Sequence, residues 1–149
     1  MVSWYGLKKS EIKELEALDK MLLKNVLKAP FSTPTEALQL ELGILSITTI
    51  IKARRINYLH YLAARKESEM LAKFFQVQWE YGDKNYWTNQ FKLDLDDLGI
   101  SSDLNFIRSI SKPVFKSLVK RKATEFELKR LLQIKSTHSK MSGLEYSKL

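Results

Sequence analysis

Along most of the chain apolar residues return every three or four positions, the period of a helix with one buried face, and not the strict alternation of a strand. Ile12, Leu15, Leu18, Leu22 and Val26 mark the first such face. With Ser10 as N-cap, Glu11 in the first turn and Pro30 beyond the end, they predict a helix from about Glu11 to Lys28. Thr33-Pro34-Thr35-Glu36 has capping-box spacing with proline at the first helical position, and Gly43 stops a short second helix carrying Leu38, Leu40 and Leu42. A third helix starts near Ser46. Ile47 to Ile51 could pass for a strand, but the apolar pattern continues past Tyr58 and Leu62, beyond strand length. Glu69 to Glu80 predicts a fourth around Met70, Leu71, Phe74, Phe75 and Val77, broken at Tyr81-Gly82-Asp83.

Asp83 or Asn85 caps a fifth helix from about Tyr86 to Leu98, ended by Gly99. Ser101 and Ser102 cap a short sixth with Leu104, Phe106, Ile107 and Ile110. Ser111 and Pro113 open a long last helix to about Lys135, whose apolar positions are Phe115, Leu118, Val119, Phe126, Leu131 and Leu132. No hairpin signature and no glycine-rich strand-to-helix turn interrupts the series. The expectation is an all-α fold, an irregular array of six or seven helices, with residues 1–135 as one compact domain and 136–149 as a polar tail or truncated element.

Composition narrows the chemistry. The 149 residues include no cysteine, which excludes disulfides, thiol nucleophiles and cysteine-rich zinc sites within the chain. No apolar run is long enough to cross a bilayer, and the opening MVSWYGLKKSEIKELE lacks a signal-peptide layout, so an intracellular, non-secreted protein without a membrane is expected. The net charge of +8 is uneven. Residues 1–99 carry 14 Lys and Arg against 13 Asp and Glu, whereas residues 100–149 carry 11 against 4. A positive field concentrated in the last third favours a polyanionic partner.

Candidate sites fall into two groups. Arg54 and Arg55 lie within or beside the arc of Ile47, Ile51, Tyr58 and Leu62, where an unpaired guanidinium is costly; Glu36 and Glu41 of the preceding helix are the expected ion-pair partners. His60, with no second histidine or cysteine at ligand spacing, reads as a surface or capping residue. Asp94, Asp96 and Asp97 in KLDLDDLG alternate with leucines near a helix end and read as a solvated face, and His138 has no assignable triad partners. No metal site, cofactor or small-molecule substrate is indicated. In the last helix Lys112, Lys116 and Lys120 repeat every four residues, and Arg121, Lys122, Lys129 and Arg130 extend the basic patch, an arrangement suited to an RNA or DNA backbone. Trp4, Trp79, Trp87 and the six tyrosines could stack bases, though most sit in apolar surroundings typical of core.

Several segments in order, FSTPTEALQLELGILSITTIIKARRINYLHYL, LDLDDLGI and FKSLVKRKATEFELKRLLQIKSTHSKMSGLEYSKL, resemble the region that follows the polymerase domain in proteins of non-LTR (LINE-type) retrotransposons; the opening WYGLKKSEIKELEALDKMLLKNVL is similar to the junction just after that domain. The resemblance implies a non-catalytic helical region of a reverse transcriptase, with RNA or target DNA, or the polymerase domain of the parent protein, as partners. The palm aspartates and the downstream Cys/His cluster of the family have no counterpart here, so the resemblance assigns no catalytic residue. Two alternatives remain on the residues: a structural or protein-interaction domain without nucleic-acid binding, and a decayed mobile-element fragment.

Overall fold

The computed structural model describes residues 7–66, 68–81 and 87–137. Among the described residues seven helices follow one another: α1 (Lys9–Leu27), α2 (Thr35–Leu42), α3 (Ile47–Ala63), α4 (Met70–Tyr81), α5 (Trp87–Asp97), α6 (Leu104–Ser109) and α7 (Lys112–Thr137). No strand occurs among the described residues, and the fold is all-α. The expected caps Asp83 and Asn85, together with Trp4, His138 and the tail from residue 138, lie outside the described residues.

Helix ends explain where the pattern stops. Gly43 and Gly99 both take the left-handed conformation, at φ 64° and 62°, and each closes a helix: the Gly43 N–H donates to the Leu40 carbonyl at 3.1 Å and the Gly99 N–H to that of Asp96 at 2.9 Å. The first helix ends the same way without glycine, at Lys28 (φ 50°), and Pro30 follows. The starts differ more from expectation. Ser10 lies inside α1; the cap is made by the Glu11 carboxylate accepting from the Lys8 backbone N–H at 2.6 Å. Pro34 itself occupies the N-cap of α2, so the Thr33 capping box does not form. Asp103, not Ser101 or Ser102, caps α6 by accepting from the Asn105 N–H at 2.9 Å.

The described helices gather into two compact units. One is built from Ile51–Ala123, the other from Leu7–Ile50 and the part of α7 from Thr124 to Thr137. The first has a conventional apolar core. Ile51, Ile56 and Leu59 of α3, Phe75 of α4, Phe91 and Leu95 of α5, Ile107 of α6 and Phe115 and Val119 of α7 are all essentially inaccessible to solvent. Phe75, Trp79, Trp87 and Phe91 form a ring cluster with centroids 5.5–6.1 Å apart, so these two tryptophans are packing groups.

Among the described residues of the second unit the buried apolar side chains are Leu23, Leu38, Leu40 and Leu131, and much of the apolar face of α1 is outside. Leu18, Leu22 and Val26, expected as core from their spacing, are 56%, 61% and 67% exposed. Buried polar groups take up the difference, as described below. The strained C-terminus of α1 yields a prediction: Lys28→Gly should raise thermal stability by about 0.5–1 kcal/mol, the relieved left-handed strain exceeding the added chain entropy of glycine. Thermal denaturation followed by circular dichroism measures it.

Candidate nucleic-acid interface

The cations of α3 separate sharply. Arg55 stands one turn after Ile51 and one before Leu59 on the buried row of the helix and is buried with them, whereas Arg54, beside it, is exposed. Arg55 Nε and Nη2 donate to the two carboxylate oxygens of Asp94 at 2.6 and 2.8 Å, a fork-to-fork pair, and Gln90 Nε2 adds a third bond to that carboxylate at 3.1 Å. Asp94 is 0% exposed. The carboxylate that pairs with Arg55 thus comes from α5, where Glu36 or Glu41 of α2 is the partner expected from sequence. The solvated reading of KLDLDDLG needs the matching correction. Asp96 and Asp97 face solvent, with Asp97 paired to Lys52, but Asp94 sits at the level of Phe91 and Leu95 on the inner face.

His60 is also inside, not on the surface. Its Nε2 donates to the Ile110 carbonyl at 2.8 Å, and its ring stacks on Phe115 with centroids 4.6 Å apart. Together with Arg108 Nε donating to the Ala63 carbonyl at 2.9 Å, this bond ties the end of α3 to the α6–α7 corner. The histidine is spent on packing and on a backbone acceptor left over at a helix end.

The second unit has its own buried ion. Glu127 of α7 is 0% exposed. Its Oε2 accepts from the Ser46 and Thr49 hydroxyls at 2.9 and 2.5 Å, and its Oε1 accepts from Arg130 Nε at 2.8 Å. Arg130 goes on to donate to Gln39 Oε1 at 3.0 Å and stands 4.0 Å from Glu36. Sequence reasoning did not single out Glu127, Ser46, Thr49 or Gln39. The available signal was an acid inside the i, i+4 row Phe115, Val119, Ala123, Leu131, where a solvated charge has no place. Beside this cluster Glu16, Asp19, Thr35, Glu36, Gln39 and Arg130 line a polar cleft of about 290 Å³. Burial there raises the Asp19 carboxyl above its ordinary range, against a hydrogen bond from Gln39 that lowers it.

The basic patch of α7 is thus smaller than the seven cations expected. Arg130 belongs to the Glu127 cluster, and Lys122 is half-buried on the opposite flank of the buried row. Lys129 is exposed in the second unit. What remains together is Lys112, Lys116 and Lys120, all exposed, with Arg121 exposed beside them. This row is the buried row Phe115, Val119 moved on by one residue, about 100° around the helix, so the lysines line one edge of a packed face. Thr124, Leu128 and Leu132 continue the same row and carry no charge, so the basic stripe ends at Lys120. Among the described residues no three His, Asp or Glu side chains gather where they could hold a metal ion, and no helix is long and apolar enough to cross a membrane. The chain matches no model of a known protein family, no curated protein and no solved structure.

The contrast between the two arginines of α3 is measurable. Arg55→Ala leaves Asp94 charged and buried and should cost about 3–5 kcal/mol, while Arg54→Ala should stay within about 0.5 kcal/mol of the parent. Urea unfolding of the two variants checks this; equal midpoints would show that the buried pair contributes nothing.

Proposed function

We propose that the chain is a non-catalytic helical module that holds the phosphate backbone of RNA or DNA, without reading its sequence, along the first half of α7. The observation that carries this reading is the row Lys112, Lys116, Lys120 with Arg121: four exposed cations on one rigid helix, spaced about 6 Å apart along its axis from lysine to lysine. That interval is close to the phosphate spacing of an extended strand, and a helix packed through Phe115 and Val119 presents the charges already ordered. The charge distribution supports it, since residues 100–149 carry 11 basic against 4 acidic side chains. The resemblance of the sequence to the region after a LINE-type polymerase domain supports it too, and supplies the setting: a connecting region that keeps template RNA or target DNA near a polymerase, inside the cell.

Binding of this kind is weak and strongly dependent on salt. With roughly three to four phosphates neutralised, the slope of log affinity against log salt should be about −3, and each lysine changed to alanine should make it shallower by nearly one unit. Charge reversal at Lys112, Lys116 and Lys120 together should abolish binding to an oligonucleotide at low salt with helicity unchanged, because all three side chains are exposed. Fluorescence anisotropy with a labelled oligonucleotide of mixed sequence measures both. Absent binding at low salt, or undiminished binding in the reversed variant, would remove this function and leave the row to an acidic protein surface.

A further inference from the structure

Helix α4 is apolar on two sides. Ala72, Phe75 and Trp79 face inward and are buried. On the opposite side Met70, Phe74, Val77 and Tyr81 are 88%, 55%, 57% and 80% exposed. Their spacing of four, three and four residues brings them within about 60° of one another at 100° per residue, which is the seam of a coiled coil and not a scatter of surface apolar groups. The exposed row of α1, Leu18, Leu22 and Val26, runs in steps of four and so drifts about 40° around the helix at each step, without the three–four alternation of a seam, whose next position after Leu22 is Asn25.

We infer that α4 pairs with α4 of a second copy of this chain, antiparallel, about a twofold axis between Phe74 and Val77. The flanking charges select that partner and that direction. Lys73 and Glu80 are both exposed and each immediately precedes a seam residue, Phe74 and Tyr81. With Phe74 set against Val77 of the other copy, and Met70 against its Tyr81, Lys73 lies beside Glu80 of the second copy, and the twofold repeats the pair. A parallel pairing would set Lys73 against the neutral Gln78. The surface therefore matches itself in one orientation. Glu80 already accepts a hydrogen bond from Gln76 Nε2 at 3.1 Å, which holds it toward this edge of the helix.

Size sets the strength. Met70, Phe74, Val77 and Tyr81 with half-exposed Leu71 offer roughly 500 Å² per copy, so the pair buries on the order of 1,000 Å², near the floor for a specific interface. Two heptads are too short to pair as free peptides. Here α4 is already held as a helix by Phe75 and Trp79, so pairing orders only side chains. A reversible dimer with Kd on the order of tens of micromolar follows.

Sedimentation velocity on the full chain, from roughly one to several hundred micromolar, reads the equilibrium directly. The parent should pass from monomer to dimer, and Phe74→Lys should stay monomeric with unchanged circular dichroism. Lys73→Glu and Glu80→Lys should each weaken the dimer about tenfold, and an equimolar mixture of the two should form a heterodimer at least as tight as the parent dimer. A parent that is monomeric throughout would overturn the inference and leave the seam to a different protein. A dimer that survives Phe74→Lys, or charge variants that do not complement each other, would place self-association on another face.

Discussion

An ion taken out of water must recover the hydrogen bonds it gave up, and this constraint decides which residues of the chain face inward. In the unit built from Ile51–Ala123 the ion is the Arg55–Asp94 pair, closed on both carboxylate oxygens and further bonded by Gln90. Because the fork needs α3 and α5 at one register, the pair specifies which turn of each helix meets the other, while Ile51, Leu59, Phe91 and Leu95 supply the apolar burial around it. In the other unit the corresponding ion is Glu127, held by two hydroxyls from the start of α3 and by Arg130. Together with the Arg130–Gln39 bond, these polar contacts fix α7 against α2 and the start of α3.

The same constraint sorts the cations by task. Arg55 and Arg130 are committed to carboxylates, and His60 to a backbone carbonyl and the Phe115 ring. Lys112, Lys116 and Lys120 stand outside the packed face of α7 and meet solvent. The nucleic-acid reading rests on that last set alone. The exposed seam of α4 is a separate surface, apolar where the α7 row is charged, so the proposed polyanion contact and the proposed self-pairing draw on different residues and are separable by mutation.

What the sequence revealed and what it hid follow from range. Helix count, class and most ends were legible because they depend on local signals: the i, i+4 apolar rows, Gly43, Gly99 and Pro30. Arg55 was legible as a paired group, since it interrupts an apolar row. Its partner was not, because Asp94 lies 39 residues away and periodicity says nothing about which helix comes next to which. The three aspartates of KLDLDDLG look alike in sequence, and only the register of α5 separates buried Asp94 from exposed Asp96 and Asp97. Ser10 and Thr33 do not cap, because α1 starts before Ser10 with the Glu11 carboxylate bonded to the Lys8 N–H, and because Pro34 itself stands at the N-cap of α2. The α1 row Leu18, Leu22, Val26 has the spacing of a packed face, but spacing marks an apolar face without saying what covers it.

The proposed division of tasks, in which Arg55, His60 and Arg130 hold the fold and the exposed cations of α7 hold a phosphate backbone, is tested most directly by a residue-resolved NMR titration of the chain with a short oligonucleotide at low salt. Shift changes should cluster on Lys112, Lys116, Lys120 and Arg121, with Arg55, His60 and Arg130 unmoved. Changes centred on Arg55, His60 or Arg130, or none anywhere along α7, would contradict it.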